Sequence, residues 1–395
     1  MRRAWLAGLL AIAACGGGEP PPTFMTAPVV VVPSDGLPAE VKDQVSNNNL
    51  DVVRHDGRIY LAFRTAPNHF ASSDTVMYVV SSDDEDSWRF ETKIAMATDL
   101  REPRFLAFGG RLFLYFAVLG NNPALFEPQG MKVTERRADG TWTDPDWFYM
   151  PGFIPWRAKV VNGVPYLLTY VGGGNIYNGT GNPLEIHFLT TQDGRNFAPV
   201  VAGQPKVLEG GGSETDFVLQ DDGSLVAVVR NEAGDATGFG SKICRAEAGD
   251  LGNWHCVADP KKYDSPLLFR EGADIYLIAR RNISPTGNYD LMLRDLPPAD
   301  QDLTYQIDYW NRPKRCSLWR VDPTALSVSF ILDLPSKGDT CFASTWQPAA
   351  GQYVVYNYTS PLGGTDDPSW LQGQLAPTEI YRLKLDFSQP FTTSR

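Results

Sequence analysis

The chain has 395 residues, 43 % of them hydrophobic and 12 % aromatic, with 36 Gly and 30 Pro. That composition excludes a disordered protein and points to a globular one rich in turns. The formal net charge of −11 excludes general affinity for nucleic acid or anionic membrane surfaces, both of which reward basic patches, so any bound anion must meet a local cluster of arginines.

At the N-terminus, MRRAWLAGLLAIAACGGG places Arg2 and Arg3 before an apolar stretch too short to span a bilayer as a helix. Residues 1–14 read as a signal peptide. The ending Ile12-Ala13-Ala14-Cys15 resembles the bacterial lipobox. That resemblance implies cleavage before Cys15, lipidation of its thiol, and a protein held by lipid at the outer membrane or cell surface. Residues 15–26 form a flexible, Pro-rich tether, and one domain is expected over 27–395. With Cys15 set aside, four cysteines remain. In an exported protein an even number favours disulfides. Cys244 and Cys256 bracket a hairpin-like segment and are expected to pair, leaving Cys316 with Cys341. No CxxC spacing is present and the four His are scattered, so neither a metal nor another cofactor is expected.

From residue 50 onward the chain repeats a pattern of apolar strand, Gly-containing turn and second apolar strand, beginning with LDVVRHDGRIYLAFR and including SETDFVLQDDGSLVAVVRNE. The turn glycines are Gly57, Gly110, Gly163, Gly223, Gly272 and Gly351, separated by 53, 53, 60, 49 and 79 residues. Repeats of that period built from strands predict an all-β, six-bladed β-propeller with four-stranded antiparallel blades. A five- or seven-bladed ring follows if one unit is miscounted. The strand APVVVV, 27 to 32, is expected to complete the last blade beside TEIYRLKLDF and close the ring. A monomer is expected.

Ser81-Ser82-Asp83-Asp84-Glu85-Asp86-Ser87-Trp88 resembles the Asp-box of sialidase-type propellers, Ser-x-Asp-x-Gly-x-x-Trp, with Glu85 in place of the glycine. Thr191-Gln192-Asp193-Gly194-Arg195-Asn196-Phe197 is a shortened second copy. Such turns lie away from the catalytic face, so they speak for the fold rather than the chemistry.

In a propeller the start of each first strand and the end of each second strand emerge on one face, opposite the Gly turns. Seven residues beyond the turn glycines stand Arg64, Ala117, Tyr170, Arg230, Ala279 and Tyr358, with Arg280 one step later. Strand starts add Asp51, Arg101, Glu102, Arg104, Arg157, Glu214, Asp216, Asp264 and Asp339. The same face receives the loop holding His69 and Asp74, and a long segment from Asn282 to Arg315 able to act as a lid. Arginines, carboxylates and aromatic rings together suit an anionic or hydroxyl-rich ligand such as a glycan.

The GSETDF start and AVVR end of the fourth unit resemble the sialidase blade that supplies a catalytic glutamate and one of three arginines gripping the sialic-acid carboxylate. The resemblance implies Glu214 as that glutamate, Arg230 as the second arginine and Arg280 or Arg281 as the third. The family's Arg-Ile-Pro element is absent, with Arg64, Arg101 or Arg104 as substitutes by position. Phe342 stands where its tyrosine nucleophile is expected, leaving Tyr356, Tyr358 or Tyr170 as other candidates. The expected function is a sialidase-like exo-glycosidase acting on terminal sugars. Its carboxylates would be Glu214, Asp216 and Asp74, with Arg64, Arg101, Arg104, Arg157, Tyr170, Arg230, Arg280 and Tyr358 as ligand-binding residues. The alternative is a non-catalytic propeller that binds carbohydrate or protein through the same face.

Overall fold

The computed structural model describes residues 23–172 and 183–391; the signal segment and Cys15 lie outside them. Blade one comprises β2 (Ser46–His55), β3 (Arg58–Ala66), β4 (Val76–Ser82) and β5 (Trp88–Ile94), and blade two β6 (Leu100–Phe108), β7 (Arg111–Leu119), β8 (Pro128–Arg136) and β9 (Asp146–Phe148). Blade three holds β10 (Ile154–Val161), β11 (Val164–Val171), β12 (Leu184–Thr191) and β13 (Phe197–Pro199), plus a fifth strand, β14 (Lys206–Gly210), paired with β12. Blade four is β15 (Thr215–Leu219), β16 (Leu225–Asp235), β17 (Gly238–Ala246) and β18 (His255–Asp259). Blade five is β19 (Leu267–Glu271), β20 (Asp274–Asn282), β21 (Lys314–Asp322) and β22 (Ser327–Asp333). Blade six is β23 (Ser344–Ala349), β24 (Gln352–Thr359) and β25 (Glu379–Asp386), with β1 (Val29–Val32) added from the N-terminal end. The protein is thus a six-bladed propeller, antiparallel within each blade, and only blade three departs from four strands.

Local chemistry accounts for the hairpins. Asp56-Gly57 and Asn162-Gly163 turn with φ of 46° and 80°, and 51° and 79°, the left-handed pair that matches the twist of a two-residue hairpin. The second strand of each blade lies between neighbouring sheets, so it reads as an unbroken apolar run rather than an alternating one. In β7 every residue from Leu112 to Leu119 is buried. Closing the ring, Val29 pairs with Arg382 and Val32 with Ile380. The pairing continues ahead of residue 27: Met25 bridges Leu385, and Phe24 is buried against Phe387 and Phe391. Both expected disulfides are present. Cys244–Cys256 joins facing residues of β17 and β18, and Cys316–Cys341 ties β21 to the segment before β23.

The two Asp-containing turns share one hydrogen-bond pattern. Asp84 Oδ1 accepts from Asp86 and Ser87 N–H, as Asp193 Oδ1 accepts from Arg195 and Asn196 N–H. These bonds pull the exposed Asp84 carboxyl down to about 2. Where Gly194 has φ 77°, Glu85 has φ 65°. The left-handed backbone costs Glu85 something glycine would not spend, and its side chain offsets this by accepting from Trp346 Nε1 (2.6 Å) and the Tyr356 hydroxyl (3.1 Å) of blade six.

The expected lid segment contains α1 (Pro298–Trp310), and α2 (Trp370–Gln374) follows β24. Tyr305 and Tyr309 of α1 cluster with Phe239, Tyr289 and Trp370, so both helices are fastened to the face where the first strands begin.

Candidate functional site

The two ends of the blade-four hairpin meet. Arg230 N–H donates to the Glu214 carbonyl at 2.8 Å, and Arg230 Nη1 lies 2.6 Å from Glu214 Oε1. Blade five repeats the arrangement: Arg280 N–H donates to the Asp264 carbonyl, and Arg280 Nη1 lies 2.9 Å from Asp264 Oδ2. The two pairs are linked, since Arg230 Nη1 also reaches Glu232 Oε2 at 3.2 Å and Asp264 Oδ1 at 3.9 Å. Lys262 binds Glu232 and sits 3.6 Å from Asp264 Oδ2. From α1 the Tyr309 hydroxyl donates to Asp264 Oδ2 at 2.6 Å. Burial works against ionisation of Asp264, but Lys262, Arg280 and Arg230 hold its carboxyl below the usual range.

Arg64 lies in a second cluster. Its Nε and Nη2 donate to Asp99 Oδ1 at 3.0 and 2.8 Å, and Arg101 Nε donates to Asp99 Oδ2 at 2.5 Å. Between the clusters stands Asp339, which accepts from the Tyr358 hydroxyl at 2.8 Å and lies 2.6 Å from His69 Nδ1. Burial depresses the His69 pKa despite Asp339, so the ring is neutral near pH 7 and its Nδ1–H donates to the carboxylate. Arg64, Arg230 and Arg280 each already face a carboxylate of the chain.

The other expected residues divide by position. Asp74 is exposed on its loop, hydrogen-bonded only through its backbone among the described residues. Asp216 is buried further along the axis. It accepts from Phe217 and Leu268 N–H and lies 2.6 Å from Lys159 Nζ and 3.3 Å from Arg157 Nε. Tyr170 is buried in the core, its ring 6.4 Å from that of Trp156. Phe342, also buried, packs on Trp156 and under the Arg104 guanidinium. Among the described residues no tyrosine hydroxyl hydrogen-bonds to Glu214.

The face also presents a carboxyl that sequence reasoning placed there without assigning it a role. Glu102 occupies a bulge in β6, between the pairs Arg101↔Ala117 and Arg104↔Tyr115, with φ 53°. Burial, reinforced by the Glu214 charge and opposed by Arg104, raises its pKa to about 7. Burial also raises the Glu214 pKa, with Arg230 pulling the other way. The side chains of Glu102 and Glu214 are 14 % and 10 % exposed, whereas those of Asp99, Asp216, Asp264 and Asp339 are at most 1 %. Two interacting carboxyls with raised pKa values and a path to solvent form the chemically poised part of this face.

This is the architecture of a sialidase-like propeller. No protein-family profile matches the chain, and no curated protein matches it in sequence. Solved structures do match it in fold. A protein of unknown function from Dyadobacter fermentans superposes with a TM-score of 0.59 at 14 % identity, covering 88 % of this chain and 96 % of that one. The endosialidase of phage phi92 gives 0.58 at 13 % identity over 90 % and 70 %. Trypanosoma rangeli sialidase gives 0.55 at 13 % identity over 86 % of this chain and 54 % of its own, so this chain spans about half the length of that enzyme.

Proposed function

We propose that the protein is a glycoside hydrolase of sialidase-like architecture, acting on terminal sugars of glycans with Glu102 as general acid and Glu214 as the partner carboxylate, in place of a tyrosine nucleophile. One observation carries the reading. Glu102 is held in a left-handed backbone conformation, with its carboxyl protonated up to about pH 7 beside Glu214. A proton retained to neutral pH next to a second carboxylate is what protonation of a glycosidic oxygen requires. Arg101 and Arg230 border the pair and favour hydroxyl-rich or acidic sugars. The lipobox-like N-terminus supports a lipid-anchored location in the bacterial envelope, where external glycans are accessible.

Purified protein offered a panel of aryl glycosides, including a sialoside and a uronide, is expected to turn over at least one of them. Glu102→Gln and Glu214→Gln should each lower kcat/KM by roughly 10²- to 10⁴-fold. The wild-type rate should fall as pH rises through about 7, because the general acid is then deprotonated. No turnover with any glycoside sinks the hydrolase reading.

A second reading, a glycan-binding propeller without catalysis, is supported by the carboxylates already facing Arg64, Arg230 and Arg280. Binding on a glycan array that disappears in Arg101→Ala, without turnover, would select it.

A further inference from the structure

The propeller axis carries a group of buried donors that neither cluster uses. Arg104 is 1 % exposed, and among the described residues none of its three guanidinium nitrogens has a hydrogen-bond partner. Its guanidinium carbon lies 4.3 Å from the Phe342 ring centroid and 4.9 Å from that of Trp156. Two rings thus cover it while leaving its N–H edges unanswered. Glu102 Oε2 stands 3.8 Å from Nη2, beyond hydrogen-bond reach, and Asp51 and Asp216 act on the guanidinium through their charge without bonding to it. Among the described residues Trp156 Nε1 is buried without an acceptor, as is Arg157 Nε, whose 3.3 Å approach to Asp216 Oδ2 lacks hydrogen-bond geometry. Burying an unanswered donor destabilises the fold, and more so when it is charged. Five buried donor nitrogens on three residues along one axis call for an acceptor.

From the opposite end of the ring a cavity reaches Arg157, one of these three residues, while Arg104 and Trp156 stand behind its wall. This cavity of about 530 Å³ opens between the first strands and includes Arg54, Arg157, Lys159, Arg270, Asp51 and Asp216's neighbour Phe217 in its wall. Asp51 and Asp216 offset two of these four cations and Asp221 pairs with Arg270 at 2.7 Å, which leaves the passage with a single excess positive charge in a chain of net charge −11. A positive cleft with low-dielectric walls concentrates small anions from a distance.

We propose that the axis is a binding site for a small monovalent anion, held by the Arg104 guanidinium and the Trp156 indole N–H and entered through the basic cavity on the turn side. A halide ion and a small carboxylate share the required chemistry: compact size, a single charge and acceptor capacity for several N–H groups. A sulfate-sized dianion would bring a second charge beside Glu102 and Asp216.

The test is thermal unfolding of the purified protein in chloride, bromide, acetate or gluconate at constant ionic strength, with a bromide-soaked crystal to locate the ion. Chloride or acetate, but not the bulkier gluconate, should raise Tm saturably. If acetate alone does so, the ligand is a carboxylate; if chloride and bromide do so, it is a halide, with anomalous density beside Arg104. Trp156→Phe keeps the ring and removes its donor, and should weaken the apparent affinity roughly tenfold. Arg104→Met should abolish the effect; if that variant does not fold, Trp156→Phe still decides. A Tm indifferent to anion identity, or an unchanged midpoint in Trp156→Phe, overturns the proposal. The readout does not depend on glycosidase activity, so its failure is separate from failure of that reading.

Discussion

Two junctions of the ring use one device with different residues. Between blades one and two, Asn49 Oδ1 accepts from Glu102 N–H at 3.2 Å and Asp51 Oδ2 from Phe105 N–H at 2.7 Å. Between blades four and five, Glu214 Oε2 accepts from Ser265 N–H at 2.6 Å and Asp216 Oδ2 from Leu268 N–H at 2.7 Å. The receiving residues Glu102 and Ser265 share φ 53°. Since Asn49 makes its clip with a neutral amide, and Ser265 takes the left-handed backbone without a carboxyl, neither role demands the carboxylic acids at Glu214 and Glu102. Those acids are additions to a structural device, and the proposed glycosidase reading gives them a use.

The lower clips sharpen the comparison most. Asp216 neutralises Lys159 and Arg157 as well as bonding backbone, while Asp51 bonds Phe105 N–H and the Ser344 hydroxyl. Asp216→Ala leaves the buried Arg157 and the half-buried Lys159 without their carboxylate and should cost about 3–5 kcal/mol in denaturant unfolding. Asp51→Ala should cost less, about 1–3 kcal/mol. Equal losses would mean that the junctions differ only in sequence.

Glu102 gives the next largest effect, with opposite sign. Its folded pKa, about 7, lies above its usual value of 4.5. The folded state therefore binds the proton more tightly, and stability falls as pH rises from about 4.5 to about 7. Glu102→Gln removes that loss: it should match wild type at pH 4 and be more stable by about 1–2 kcal/mol at pH 8, with the side chain's partial exposure limiting the gain. Unfolding midpoints across this pH range would check it, and a variant less stable at pH 8 would refute the proposed burial penalty.

Much of the ring was legible because its determinants are local. Asp56-Gly57 and Asn162-Gly163 announce their turns, the apolar runs announce strands sandwiched between sheets, and the recurrence of the turns every 49 to 79 residues announces blades. The pairing of Glu214 with Arg230 also followed from antiparallel register, and the same logic applied to Asp264 and Arg280 places that carboxylate on its arginine. What register could not deliver was the state of Arg64, whose partner Asp99 comes from the segment leading into blade two. Glu102 escaped assignment because a bulge inserts a residue and re-aims the side chains around it, a shift invisible to period-two patterning. Asp74 follows the right hairpin, yet loop exposure rather than strand register decides where it points.

The smallest expected change in stability separates structure from function most cleanly. Glu214→Gln retains an amide oxygen able to accept from Ser265 N–H, as Asn49 does toward Glu102. Arg230 keeps Glu232 at 3.2 Å and Asp264 at 3.9 Å, so no buried guanidinium is stranded. Burial already disfavours the Glu214 carboxylate, so removing its charge forfeits little. Unfolding free energy at pH 7 should change by less than about 1 kcal/mol, while glycoside turnover falls by roughly two orders of magnitude or more. If stability instead drops by about 3 kcal/mol or more, the Glu214–Arg230 ion pair is part of the ring's framework in the manner of a buried salt bridge. The parallel between the two junctions then ends at the backbone.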